Sequence, residues 1–483
     1  MPFPNPDLPL SRWTPAVLDR PGPTYAVICD VLGEAITTGE LLPGTRLPSH
    51  RDLARRLGVA VGTVTRAYKE ALRRGLVRGD VGRGTFVRER PPDPPGMRHY
   101  PHPDRPLLDL YKNHPLSVPA IEKRAWAEAC SALAERDDLV EIMGTAWSVL
   151  PARSSRIGAD WLRLLGLDSS PDDVVDCPGL QGAVAGALAT ITSPGDVLAT
   201  AELTFPVVSS LAERHGLSVH GLETDGDGIL PEAFEDLCHH ARPTILYLEP
   251  DLHAPTTAIL SESRRCRLAE LASEHDVWIL EFVSSGILLA DPPPRMAALA
   301  PDRTFLLADV CHGLSVGLRS VFVVAPPAHR TALLTAVASV SGTTPVLTTE
   351  IVGHWLDHGV ADALIAARRT ELAKRHALAA DIFSSIGVDG GSSATGRLLG
   401  HPAAHNLWLE LPSRWSGPAF VDAAERRGVA ITDGAWFAVG DHAPAAVRLC
   451  LGNLADHEEL ADALGIVAEL LDRPSPTRRA PVL

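Results

Sequence analysis

Apolar and polar positions alternate at two different periods along the chain, and the change of period falls near residue 107. From Thr24 to Gly39 the spacing is helical, with Ile28, Leu32, Ala35 and Ile36 on one face, Thr24 as N-cap and Gly39 as stop. Pro43-Gly44 then predicts a turn, and Ser49 caps a short helix that Gly58 ends after Leu57. A third helix is expected from about Ala60 to Arg74, with Val64, Ala67, Ala71 and Leu72 as its inward stripe. Leu76–Arg78 and Thr85–Val87 read as short strands joined by the glycine-rich hairpin Gly79–Gly84. Residues 1–22 are too proline-rich for regular structure and form an arm. Residues 91–107 continue a proline-rich stretch that is expected to be an extended, semi-stiff linker.

Beyond Leu108 the pattern becomes that of an α/β domain. Unbroken apolar runs predict strands at 174–177, 197–201, 217–222, 244–249, 277–281, 304–308 and 320–325. Helices are expected at about 181–193, 205–215, 260–275 and 327–340. Such alternation gives a mostly parallel sheet whose ligands sit at the carboxyl ends of the strands. After about 345 a long helical stretch leads to a smaller α+β segment, with strands near 404–411 and 446–451 and a closing helix at 460–472. The domains are therefore placed at 23–90 and 108–475, with 476–483 a tail.

Composition adds one asymmetry. The net charge of −15 is unevenly distributed: residues 1–90 hold 14 Lys+Arg against 9 Asp+Glu, and the remainder holds 30 against 50. A small basic module on an acidic body suggests a polyanion partner at one end only. No run of about 18 apolar residues and no signal-peptide core is present, so a cytoplasmic location without a membrane partner is expected. The seven cysteines are scattered and form no CxxC pair, which fits reduced thiols and no metal site.

The string RLPSHRDLARRLGV…TVTRAY…GLVRG…GRGTFV resembles the GntR-type winged-helix DNA-binding domain over its whole length. On that resemblance Thr63, Thr65 and Arg66 near the start of the third helix would face the major groove. Arg46, Ser49, Arg51, Arg83 and Thr85 would hold phosphates and set register.

The loop in TFLLADVCHGLSVGLRSVFVV resembles the cofactor-lysine loop of class I aminotransferases, fold-type-I enzymes that use pyridoxal phosphate. Gly317-Leu318-Arg319 matches that loop, and counting back places His312 on the lysine and Asp309 on a serine. Imidazole cannot form a Schiff base with the cofactor aldehyde. The chain has only Lys69, Lys112, Lys123 and Lys374, none of them in the predicted sheet. The resemblance covers about 108–472. It assigns Gly179, Gln181 and Gly182 to the cofactor-phosphate turn, although glycines at a helix start also serve close packing. It puts Phe205 on the ring-stacking aromatic, His253 in the loop ending Pro-Thr-Gly, and Glu281 on the acid that pairs with the pyridine nitrogen. Arg319 matches the phosphate arginine and Arg448 the substrate-carboxylate arginine, a structural ion pair being the alternative for each.

The two resemblances joined by a long linker are similar to the MocR-type transcription regulators. They imply an α/β chain: a winged helix-turn-helix, a large fold-type-I domain with a mostly parallel sheet, and a small C-terminal α+β subdomain. The expected function is sequence-specific binding of double-stranded DNA by a head-to-tail homodimer whose degenerate pocket senses a small anionic or amino-acid-like effector. No cofactor is fixed by the sequence: the resemblance implies pyridoxal phosphate, but covalent attachment and catalysis are not expected. The alternative is a working aminotransferase with an appended DNA-binding domain.

Overall fold

A computed structural model describes residues 23–37, 41, 45–73, 76–80, 84–87, 107–144, 150–391, 395–440 and 443–472. The arm, nearly all of the linker, Arg83 and the tail lie outside them. The chain divides into two compact units, residues 1–100 and 101–483.

The first unit is a winged helix. Helix α1 spans Thr24–Thr37, α2 His50–Leu57 and α3 Val61–Arg73. Ser49 starts α2 by accepting the Asp52 N–H, while its hydroxyl donates to Asp52 Oδ2 at 2.6 Å. Gly58 ends α2 in the left-handed region (φ 65°), where its N–H reaches the Ala54 carbonyl and a side chain would be strained. Strands β1 (Val77–Asp80) and β2 (Gly84–Val87) pair antiparallel with Val77 opposite Val87, forming the wing. Leu47 N–H donates to the Thr85 carbonyl at 2.8 Å and binds the wing to the chain before α2. The core joins Ile28, Leu32, Leu53, Leu57, Val64, Ala67 and Ala71. Leu72 is not part of it. Leu72 is 45% exposed and Tyr68 is buried instead, because position 68 lies about 40° around the helix from Val64 and position 72 about 80°.

The second unit is built on a seven-stranded sheet. Its strands in chain order are β3 (Val174–Pro178), β4 (Val197–Ala201), β5 (Ser218–Leu222), β6 (Ile245–Leu248), β7 (Trp278–Val283), β8 (Thr304–Asp309) and β9 (Ser320–Val324). Across the sheet the order is β3-β9-β8-β7-β6-β4-β5. Only β9 runs against its neighbours. The connection from Val310 to Arg319 explains this, being shorter than the dozen or so residues a parallel crossover needs. Helix α4 (Gly179–Ile191) follows β3 directly and covers one face with Ala183, Val184, Val321 and Phe282. The opposite face buries Leu246, Leu248, Ile279 and Met296. These strands are apolar on both sides, which is why they read as continuous runs.

The smaller subdomain has a four-stranded antiparallel sheet containing β10 (Arg397–Gly400), β11 (Asn406–Glu410), β12 (Thr432–Asp433) and β13 (Ala446–Cys450), in the order β10-β11-β13-β12. Its core includes Phe383, Leu407, Leu409, Phe420 and Leu464. The four-residue strand β10 and the weakly patterned helix Pro119–Ala134 carry little periodic signal, while the amphipathic helix Leu150–Leu164 was readable but is absent from the expected elements. Leu108–Asp109 pairs with Val429–Ala430, and the following residues cross β13: Cys450 N–H donates to the Leu110 carbonyl at 2.8 Å. Among the described residues no helix is long and apolar enough to cross a membrane.

Candidate nucleic-acid interface and ligand pocket

In the winged helix, Arg51 is exposed on α2 and has no ion pair among the described residues. The Arg46 guanidinium lies against the wing, where a Cβ on Gly84 would come within 3.1 Å of its Nε. Arg66 is exposed, with its guanidinium 4.0 Å over the Tyr25 ring. Thr63 and Thr85 are half-buried, and Thr85 contributes its carbonyl to Leu47. Two predicted contacts have other employment. The Ser49 hydroxyl is committed to Asp52, and the Thr65 hydroxyl donates to the Val61 carbonyl at 3.0 Å.

The pocket residues gather at the carboxyl ends of β3, β6 and β8. Gly179 opens α4 with φ 75°, and a Cβ there would sit 3.7 Å from both Arg319 Nη2 and Gln181 Oε1. A guanidinium and an amide thus converge on a helix start, a combination that favours an anion. Arg319 is exposed and has no ion pair among the described residues. Gly182 serves packing instead: a Cβ would meet Ser341 Oγ at 2.8 Å and the Pro178 ring at 3.1 Å.

His312 and Asp309 form a close pair. The buried Asp309 carboxylate accepts the His312 backbone N–H at 2.9 Å and lies 2.6 Å from its Nδ1. Burial disfavours the charged imidazole, but the hydrogen bond and charge of Asp309, with Glu249 beyond, outweigh it and raise the His312 pKa above the usual value. His405 sits next to it, accepting the Leu116 N–H on Nδ1 at 3.4 Å and donating Nε2–H to the His312 carbonyl at 3.3 Å. Burial pushes His405 down to about 3, so it stays neutral. Glu249, at the end of β6, is buried and hydrogen-bonded by Ser284 and the Ala254 N–H; burial raises it to about 7. His253 shares a 2.8 Å hydrogen bond with Thr256 and is pushed down by burial to about 4.

Arg448 on β13 is 3% exposed and has no carboxylate partner among the described residues. Its Nη2 donates to the Tyr111 carbonyl at 2.8 Å, its guanidinium lies 5.0 Å over the Phe437 ring, and its Nε has no partner. A buried cation with an unused donor is costly unless something anionic completes it. Phe205 lies at the start of the helix Pro206–Arg214, edge-on to Trp436 at 6.5 Å.

Glu281 is not with this group. Its carboxylate accepts the N–H groups of Met296 at 3.0 Å and Ala297 at 2.9 Å, under the opposite face of the sheet. Strand side chains alternate, so Phe282 is the one that faces the α4 layer. Sequence reasoning also missed Glu249, His405 and the segment 109–116. Glu249 carried a readable signal, a carboxylate ending the apolar run ILYL; the others depend on contacts across hundreds of residues. A cleft of about 870 Å³ lies elsewhere in this unit, lined by Glu202, Asp225, Trp408 and Glu410, and contains none of His312, Arg319 and Arg448.

Residues 24–87 match the family model of bacterial regulatory proteins of the gntR family. Over nearly its whole length the chain is similar to the uncharacterized HTH-type transcriptional regulator YdeF of Bacillus subtilis (strain 168), with 27% identity across 95% of this chain and 97% of that protein. The probable rhizopine catabolism regulatory protein MocR of Rhizobium meliloti is 26% identical across 64% of this chain and 67% of its own. A GntR-type segment followed by an aminotransferase-like domain matches the architecture of the MocR-type regulators. The larger part of the chain has the aminotransferase fold. It superposes on a kynurenine aminotransferase of Pyrococcus horikoshii with a TM-score of 0.68, at 19% identity over 76% of this chain and 91% of that one. LysN, the α-aminoadipate aminotransferase of Thermus thermophilus, gives 0.66 at 22% identity over 76% and 92%.

Proposed function

We propose that this chain is a sequence-specific transcription regulator whose aminotransferase-like domain forms a head-to-tail homodimer and senses a small anionic or amino-acid-like ligand without covalent attachment. The observation that carries the reading is the winged helix itself: a GntR-type segment with Arg46, Arg51 and Arg66 on its surface, matched in order from helix to wing. The pocket supports the ligand half. Arg319 beside the start of α4 and the buried Arg448 fit the anionic ends of an amino-acid-like or phosphorylated molecule.

Pyridoxal phosphate fits this pocket only in part. The anion-holding groups are in place, but the position of the family's lysine holds His312, whose Nδ1 is engaged by Asp309, and no acid from β7 faces the α4 side. These residues therefore suit a ligand held without a covalent bond. The alternative of a working aminotransferase would need an amine in the pocket. Lys112 is the lysine on the segment that crosses Arg448, and its amine is paired with Asp109 at 3.1 Å.

Two measurements test this. Gel shifts with DNA upstream of its own gene should show a sequence-specific complex, and binding no tighter than to unrelated DNA of equal length would end the regulator reading. Titration with pyridoxal phosphate followed by borohydride should leave the protein unlabelled while amino acids or pyridoxal phosphate raise its melting temperature. A reduced adduct on Lys112 at one equivalent of pyridoxal phosphate, as distinct from the exposed Lys69, Lys123 and Lys374, or steady turnover of amino donor and keto acid, would replace the proposed mechanism with a covalent one.

A further inference from the structure

Among residues 24–87 there is a single histidine, His50. It is the first residue of α2 and lies half-buried against α3, with Nδ1 3.2 Å from Thr65 Oγ1 and its ring edge-on to Tyr68 at 4.9 Å. Thr65 gives its hydroxyl proton to the Val61 carbonyl, so its oxygen is left to accept from His50. That fixes the imidazole proton on Nδ1. Tyr68, whose hydroxyl donates to the Pro48 carbonyl at 3.0 Å, holds the ring from the other side. His50 Nε2 is left without a partner among the described residues. In the chain it stands between Ser49 and Arg51, against a helix that also carries Arg66 and Lys69.

We propose that His50 Nε2 contacts DNA directly and that binding is accompanied by uptake of a proton at this ring. With its proton on Nδ1, a neutral ring offers DNA only a lone pair at Nε2, which phosphate oxygens and the acceptor edge of guanine repel. A second proton turns the same atom into a charged donor suited to either. Asp52 on its own helix is occupied by Ser49 and by Arg55 at 3.3 Å, and Glu70 on α3 is itself engaged. The same unit carries the cations Arg46, Arg51, Arg55, Arg66 and Lys69, and an arriving phosphate is the anion that favours a charged ring. Thr65 then acts by aiming His50 rather than by reading a base itself.

The inference rests on the regulator reading, and its test separates the two. Fluorescence anisotropy of the full chain with its upstream DNA is measured at constant ionic strength from pH 6 to pH 8. One linked proton predicts that the dissociation constant rises with pH, approaching about tenfold per unit at its steepest and at least roughly fivefold across the range. His50→Gln keeps a donor and the ring's approximate reach but cannot titrate; its affinity should vary less than about twofold over the same range. A wild-type profile as flat as that, or a His50→Gln profile as steep as wild type, overturns the inference while leaving the regulator reading intact. Absence of DNA binding at every pH removes the regulator reading first, and this inference with it.

Discussion

Glu281→Gln separates a structural role for this acid from the ring-pairing role that its place in the sequence suggested. In the structure its carboxylate receives the Met296 and Ala297 N–H groups at the start of a short helix, and burial raises its pKa to about 7 against opposing help from those bonds and Arg265. Glutamine can accept one of the two N–H groups but turns its own amide hydrogens toward the other. Losing one buried bond and leaving a donor unmatched should cost about 1–3 kcal/mol. The pH dependence has a definite sign. A carboxyl whose folded value lies above its unfolded one favours the folded state at low pH, and that advantage fades as pH rises from about 4.5 through about 7. The shift corresponds to roughly 3 kcal/mol at most. Urea unfolding of both proteins, followed by tryptophan fluorescence at pH 5.5 and 8.5, should show the variant less stable at pH 5.5, with the gap narrowing by pH 8.5. The raised acids Asp176 and Glu249 are present in both proteins, so their contributions cancel. Equal midpoints at both pH values together with lost ligand binding would refute the structural role and return Glu281 to the pocket.

Asp309→Asn removes the charge that holds His312 up, so the His312 titration followed by NMR should move to lower pH; an unchanged midpoint would mean the pair is not formed in solution. Arg448→Met should abolish any thermal stabilisation by carboxylate ligands while changing the stability of the free protein by no more than about 1 kcal/mol, because an uncompensated buried cation leaves with it. Full loss of folding would show that its bonds to Tyr111 and Thr432 are indispensable. In the winged helix, Tyr68→Ala should cost about 3–5 kcal/mol and Leu72→Ser less than about 0.5, measured by urea unfolding; a reversed order would restore Leu72 to the core.

Local physics made much of this legible. Ser49 and Gly58 bracket α2 because a hydroxyl can cap a helix start and glycine can take φ 65° at its end. The doubly covered strands were readable as apolar runs, and the loop from Asp309 to Arg319 as a glycine-bounded turn. The pairing of Asp309 with His312 is also local, three residues apart. What the sequence alone determined, then, was the order of elements, the basic winged helix and the absence of a lysine from the loop. Tertiary structure decided which side each strand residue faces, sending Glu281 away from α4 and Phe282 toward it, since a period of two leaves the choice of face to register and packing. It also decided that Arg448 has no carboxylate partner among the described residues, that Tyr111 meets it from 337 residues away in sequence, and that His50 lies against Thr65. Those facts depend on where distant segments meet, and a pattern of polar and apolar positions specifies burial without specifying the partner.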